Sequence, residues 1–151
     1  MKLLLKNIFG FIVLITINTL YAEDIKNATY YNSKGNEYVS KYLVLEKHYL
    51  LHNTMSLTDF ATGKINMQKL PQDIKNLIYL GIENYSKAIE IDKNNANGYD
   101  GRAHAYYVAK YIGDDRKITD KQICEDAQKA CALKQCNTLN FLKNIKICNT
   151  K

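Results

Sequence analysis

A chain of 151 residues, 46% hydrophobic and 24% charged, has the balance of one globular domain rather than of a disordered tail or a wholly membrane-embedded protein. One proline and seven glycines exclude collagen-like and proline-rich arrays and argue against an all-β chain full of tight turns, so the composition favours helices. The net charge of +6 is uneven: residues 23–92 hold eight lysines and nine acids, residues 93–151 eleven Lys or Arg and six acids. Acids are interleaved and no basic run exceeds Arg116-Lys117, so no nucleic-acid partner is expected.

At the start, Lys2 and Lys6 precede an uncharged apolar core from Ile8 to Ile17, and Leu20-Tyr21-Ala22 ends on a small residue. This is the layout of a signal peptide over residues 1–22, with cleavage expected after Ala22. The run is shorter than the roughly 20 apolar residues a membrane span needs, so no permanent anchor is expected. The Lys- and Asn-rich, Arg-poor usage fits an AT-rich bacterial genome, which makes a periplasmic or secreted location the expectation.

Residues 23–37 are polar and read as a loose N-terminal arm. Asn27-Ala28-Thr29 in it matches a glycosylation acceptor only as a short chance pattern. A helical domain is expected over residues 38–151. Tyr38, Tyr42, Leu45 and Tyr49 recur at helical spacing and predict a first helix over 38–55. Residues 56–70 break the period and form a long connection, and Gly63-Lys64 lacks the preceding glycine of a phosphate loop. Pro71 suits the opening of a second helix that runs to about Asp92, with Ile74, Leu77, Ile78, Ile82, Tyr85, Ala88 and Ile89 on one broad face. A turn over 93–97 leads to a third helix from Gly98 to about Tyr111. Gly113-Asp114-Asp115 breaks it. A fourth spans about Thr119 to Leu133, with Thr119 or Asp120 as N-cap, and a last one covers about Cys136 to Ile147.

These residues carry a resemblance. The run from Glu83 to Lys110 resembles the tetratricopeptide repeat, a helix pair of 34 residues. Glu83-Asn84-Tyr85-Ser86-Lys87-Ala88-Ile89-Glu90 follows the end of that repeat, with Lys93 where proline is usual. Tyr99, Ala103, Ala105 and Tyr106 stand at the offsets of its next helix, and Ala127 and Ala130 continue it. The likeness covers about residues 72–133; the helix before residue 72 does not show the repeat's first-helix pattern. It implies an all-α fold, a short TPR-like α/α solenoid whose Ala88, Ala103 and Ala130 admit close helix approach and whose Tyr85, Tyr99 and Tyr106 fill the spaces between. Solenoids usually need three or more repeats, so extra stability must come from elsewhere.

The four cysteines supply it. An even number in an exported chain suggests disulfides. Cys124 and Cys131 lie about 10 Å apart along one helix, too far to bridge each other. If the last helix folds back, Cys131 meets Cys136 at the turn and Cys124 meets Cys148 at the far end, whereas the crossed pairing needs long diagonal reaches. The nested pairing Cys131–Cys136 and Cys124–Cys148 is therefore predicted, making 136–147 a disulfide-pinned capping helix. The segment Lys129–Cys136 also resembles, distantly, the cysteine pattern of Sel1-like cysteine-rich repeat proteins, with four intervening residues where that family has seven.

No catalytic constellation stands out. His48 and His52 are four apart but lack the Glu of H-E-x-x-H and a third ligand, His104 is alone, and neither G-x-S-x-G nor S-x-x-K occurs. Asp114-Asp115 and Glu125-Asp126 read as solvated turn and helix-start positions. No metal, cofactor or enzymatic activity is expected. The repeat resemblance implies a protein–protein interaction module whose concave face carries Asn97, Asp100, His104, Tyr107 and Val108, suited to an extended peptide or a partner helix, with self-association a further option. The family's basic clamp for terminal carboxylates is absent, since Asp100 stands where a lysine would help. Two alternatives remain: a Sel1-like protein with weak β-lactam hydrolysis or peptidoglycan binding, by analogy alone, and a secreted host-facing structural protein.

Overall fold

The computed structural model describes residues 27–52, 70–112 and 117–148. The signal peptide expected at 1–22, with its cleavage site, and most of the 56–70 connection lie outside the described residues. Among the described residues there are five helices and no strand: α1 Ala28–His52, α2 Gln72–Ile91, α3 Ala96–Tyr111, α4 Asp120–Ala132 and α5 Asn137–Asn144. None of these helices is long and apolar enough to cross a membrane.

The expected loose arm is corrected over 28–37, which is the first part of α1. Asn27 starts the helix: its Oδ1 accepts the Tyr30 backbone N–H at 2.9 Å, the N-cap contact that satisfies one orphan amide. The polar residues that read as a turn are spent on tertiary contacts instead. Asn32 donates to Asn95 Oδ1 at 2.8 Å, and Asn36 Oδ1 accepts the Tyr85 hydroxyl at 2.7 Å. Asn95 is itself buried and caps α3, accepting the Gly98 N–H at 2.8 Å, so one side chain joins two helix starts.

Contact partners fix the helix directions. Val39 faces Gly81 and Gly35 faces Tyr85, so α1 and α2 run antiparallel. Tyr85 faces Gly101, Ile89 faces Gly98 and Ser86 meets Arg102, so α2 and α3 do the same. Arg102–Asp126 and Lys110–Asp120 reverse the direction again into α4. Thus α1 and α3 run one way and α2 and α4 the other, as two hairpins side by side. The first helices of the two hairpins repeat one pattern. Tyr31, Gly35 and Tyr38 of α1 recur in spacing and type as Tyr99, Ala103 and Tyr106 of α3, whereas of Gly81, Tyr85 and Ala88 in α2 only Ala88 keeps its type in α4, as Ala130 beside Ile123 and Ala127.

Tyr85 is the joint between the hairpins. It is 2% exposed, and its ring lies against the backbones of Gly35 and Gly101. Burial, helped by the charge of Asp100, pushes its hydroxyl up to about 12. A Cβ added at Gly35 would sit 2.6 Å from the ring, and one added at Gly101 would overlap it as well. Gly35→Ala and Gly101→Ala are therefore each expected to destabilise the fold by about 1–3 kcal/mol through overpacking, despite Ala's better helix propensity. Urea midpoints of the single variants check this.

Two cores follow. Val39, Tyr42, Ile74, Ile78, Tyr79, Tyr85 and Ala105 form one across α1, α2 and α3. Ala103, Ile123, Ala127, Leu139 and Leu142 form the other across α3, α4 and α5. Asp126, read from sequence as solvated, is corrected: it is 8% exposed and grips Arg102, whose Nε and a terminal nitrogen lie 2.7 and 2.9 Å from its two oxygens. Arg102 also donates to Ser86 Oγ at 3.1 Å and lies over the rings of Tyr99 and Tyr106. One guanidinium so links α2, α3 and α4 in a bidentate pair.

Thr119 caps α4 through a capping box with Gln122. The cysteines bridge as Cys124–Cys148 and Cys131–Cys136, with Cα separations of 5.6 and 4.1 Å. The last helix is shorter than the expected 136–147. It stops at Asn144, Lys146 takes a left-handed φ of 61°, and the N–H groups of Ile147 and Cys148 both turn back onto the Leu142 carbonyl. That turn brings Cys148 to Cys124.

Candidate functional site: the outer face of α3

Asn97, Asp100, His104, Tyr107 and Val108 recur at intervals of three and four and share one side of α3. The structure gives them different duties. Asn97 is exposed. Asp100 is bound to α5: its Oδ1 accepts the Thr138 backbone N–H at 3.0 Å, and its carbonyl accepts the Thr138 hydroxyl at 3.2 Å. A carboxylate at an amide in the first turn of α5 complements the positive end of that helix. Tyr107 stands edge-on to Phe141 at 5.2 Å between ring centres and tilted against Tyr111 at 4.7 Å. Val108 packs against the first core. Of the five, then, Asp100 and Tyr107 hold α5, Val108 serves the core, and Asn97 and His104 remain.

Tyr111 and Phe141 extend this face and were missed in the sequence. They are 58% and 41% exposed, large apolar rings open to solvent. Tyr111 stands one helical turn after Tyr107, so helical spacing from Tyr107 points to it. Phe141 needs the fold-back of α5 and has no local signal. On the other flank, α1 turns toward α3 the side that carries Asn32 and Asn36, and Leu43, 43% exposed, continues that row. The face is bordered by amides and Leu43 on one side and by Phe141 on the other, with Asn97, His104 and Tyr111 between.

His104 is half-buried, and its imidazolium is disfavoured by that burial, with the charge of Asp100 opposing; the net shift is downward. The sign follows from linkage. With a folded value below the unfolded one of about 6.5, the unfolded chain binds more protons in that window, so stability is full above it and is lost as pH falls through the folded value. The wild type is expected to lose stability on acidification below about pH 6.5 more steeply than His104→Gln. Urea titrations at a series of pH values check it.

Two grooves open elsewhere, against α2. One of about 480 Å³ is lined by Asn76, Tyr79, Leu80, Ile82 and Glu83. The other, about 350 Å³, shares Tyr79 and Ile82 and adds Tyr106, Lys117, Ile118 and Gln122. Both linings mix apolar and polar side chains, and Glu83 is in an ion pair with Lys87 at 2.8 Å. Among the described residues no three His, Cys, Asp or Glu side chains are grouped to hold a metal, and all four cysteines are bridged. Two disulfides fit a non-cytoplasmic location.

No protein-family model matches this chain, and neither a curated protein nor a solved structure does. The class that fold and face define is an all-helical, disulfide-bridged domain of packed helix pairs.

Proposed function

We propose that the protein is a small exported interaction module of the tetratricopeptide type, acting in the periplasm or at the cell surface without catalysis. The observation that carries this reading is the repetition between the first helices: Tyr31, Gly35 and Tyr38 of α1 recur in spacing and type as Tyr99, Ala103 and Tyr106 of α3, and α1 and α3 point the same way. Repeated hairpins of that kind present the first helix of each pair on a common side. Here that side bears Asn97, His104 and Tyr111, bordered by Leu43 and Phe141. Exposed aromatic rings beside neutral hydrogen-bonding groups suit an extended peptide or a helix of a protein partner. The apolar run at residues 8–17 behind two lysines supports export.

The test compares tagged wild-type protein with Tyr111→Glu, both recovered from the native cells and analysed by quantitative mass spectrometry. One dominant envelope protein, present with wild type and depleted with the variant, is the expected result. Recovery of the same proteins by both removes this face from the reading.

A further inference from the structure

The end of the helix stack has a chemistry of its own. From residue 127 to 151 the sequence holds five lysines and no acid. The nearest preceding acids are engaged: Asp126 is buried against Arg102 and Glu125 pairs with Lys121. Lys134, Lys143 and Lys146 are exposed and take part in no ion pair among the described residues. They bracket α5, Lys134 in the turn before it and Lys143 and Lys146 at its end. The buried side of α5 is Thr138, Leu139 and Leu142. Its other side carries Asn137, Asn140 and Asn144, flanked by Phe141, 41% exposed, with Ile145, 39% exposed, just beyond the helix.

We propose that this outer surface of α5 is a peripheral docking site for an anionic phospholipid bilayer. Charge complementarity selects the partner: uncompensated lysines are drawn to an anionic leaflet, and each contributes about fivefold in affinity near such a surface. Phe141 and Ile145 supply the apolar insertion that a purely electrostatic partner would not use. Neither of the two grooves described above includes a residue of α5. Lysine rather than arginine provides the charge, as point cations that need no bidentate geometry. The site shares Phe141 with the border of the α3 face but does not depend on that face.

Co-sedimentation of the disulfide-bonded protein with vesicles tests the proposal. Binding is expected to phosphatidylglycerol-containing vesicles and not to pure phosphatidylcholine, and to fall at high salt. Lys143→Glu with Lys146→Glu should lower affinity at least ~25-fold. Ile145→Ser, which leaves every charge in place, should weaken it severalfold and leave the salt dependence. Circular dichroism of each variant confirms that it folds. Equal binding to neutral vesicles, or none to anionic ones, overturns the proposal. So does capture by polyglutamate without capture by vesicles, which would assign the surface to an acidic polypeptide.

Discussion

Asp126→Ala is expected to destabilise the protein by about 3–5 kcal/mol, the largest single effect in the molecule. The change removes one partner of a nearly buried ion pair and leaves the Arg102 guanidinium, 19% exposed, without its counter-charge. Burial works against the arginine's charge, and the hydrogen bond and charge of Asp126 outweigh it, holding its ionised form above the ordinary value. Ser86 and the two tyrosine faces cannot replace a carboxylate. The pair should also show in a double-mutant cycle. Arg102→Met combined with Asp126→Leu removes both charges, and its loss should be well below the sum of the single losses. Denaturant midpoints of the four proteins decide it. A loss under 1 kcal/mol for Asp126→Ala would mean that α2, α3 and α4 are not joined through this guanidinium.

Removing the outer bridge, by Cys124→Ser with Cys148→Ser, is expected to cost ~3.5 kcal/mol. Cys124 and Cys148 are 24 residues apart, and closing a loop of that length removes this much chain entropy from the unfolded state. The inner bridge closes a separation of 5 and should contribute ~2 kcal/mol by the same relation. The consequence is local as well as global. An eight-residue helix has little stability of its own, and α5 is held by Leu139, Leu142, the Thr138–Asp100 bonds and the Tyr107–Phe141 contact. Without the outer bridge its far end is freed, so the Ile145 and Ile147 amides, bonded to the Phe141 and Leu142 carbonyls, should exchange faster while amides in α2 change little. Hydrogen exchange of the oxidised wild type and the double variant measures both. Uniform acceleration across α2 and α5 would contradict the placement of the bridge as a clamp on α5.

Sequence reading reached the middle and end of the chain more easily than its beginning. Helices α2 to α5 follow from apolar spacing, the opening proline and Thr119, all local signals. The cysteine pairing was legible because one short turn and one helix leave a single arrangement without diagonal reaches. The first turns of α1 were not legible: Asn32, Gly35 and Asn36 look like turn residues until Tyr85 and Asn95, roughly fifty and sixty residues away, arrive to use them. Asp126 failed for the same reason, since a carboxylate on a helix reads as solvated unless Arg102 is known to face it. The candidate face was placed by the repeat resemblance, yet Asp100 and Tyr107 turned out to hold α5. That assignment depends on where the last helix docks, which no spacing within α3 encodes.

We propose that the side of α3 carrying His104 and Tyr111 meets a protein partner. The direct measurement is photo-crosslinking in the native cells, with a photoreactive amino acid placed at Tyr111 and, as a control, at the exposed Ile91 at the end of α2. A single crosslinked species from Tyr111, identified as an envelope protein and absent from Ile91, is the predicted result. The same products from both positions, or none from Tyr111, would contradict it.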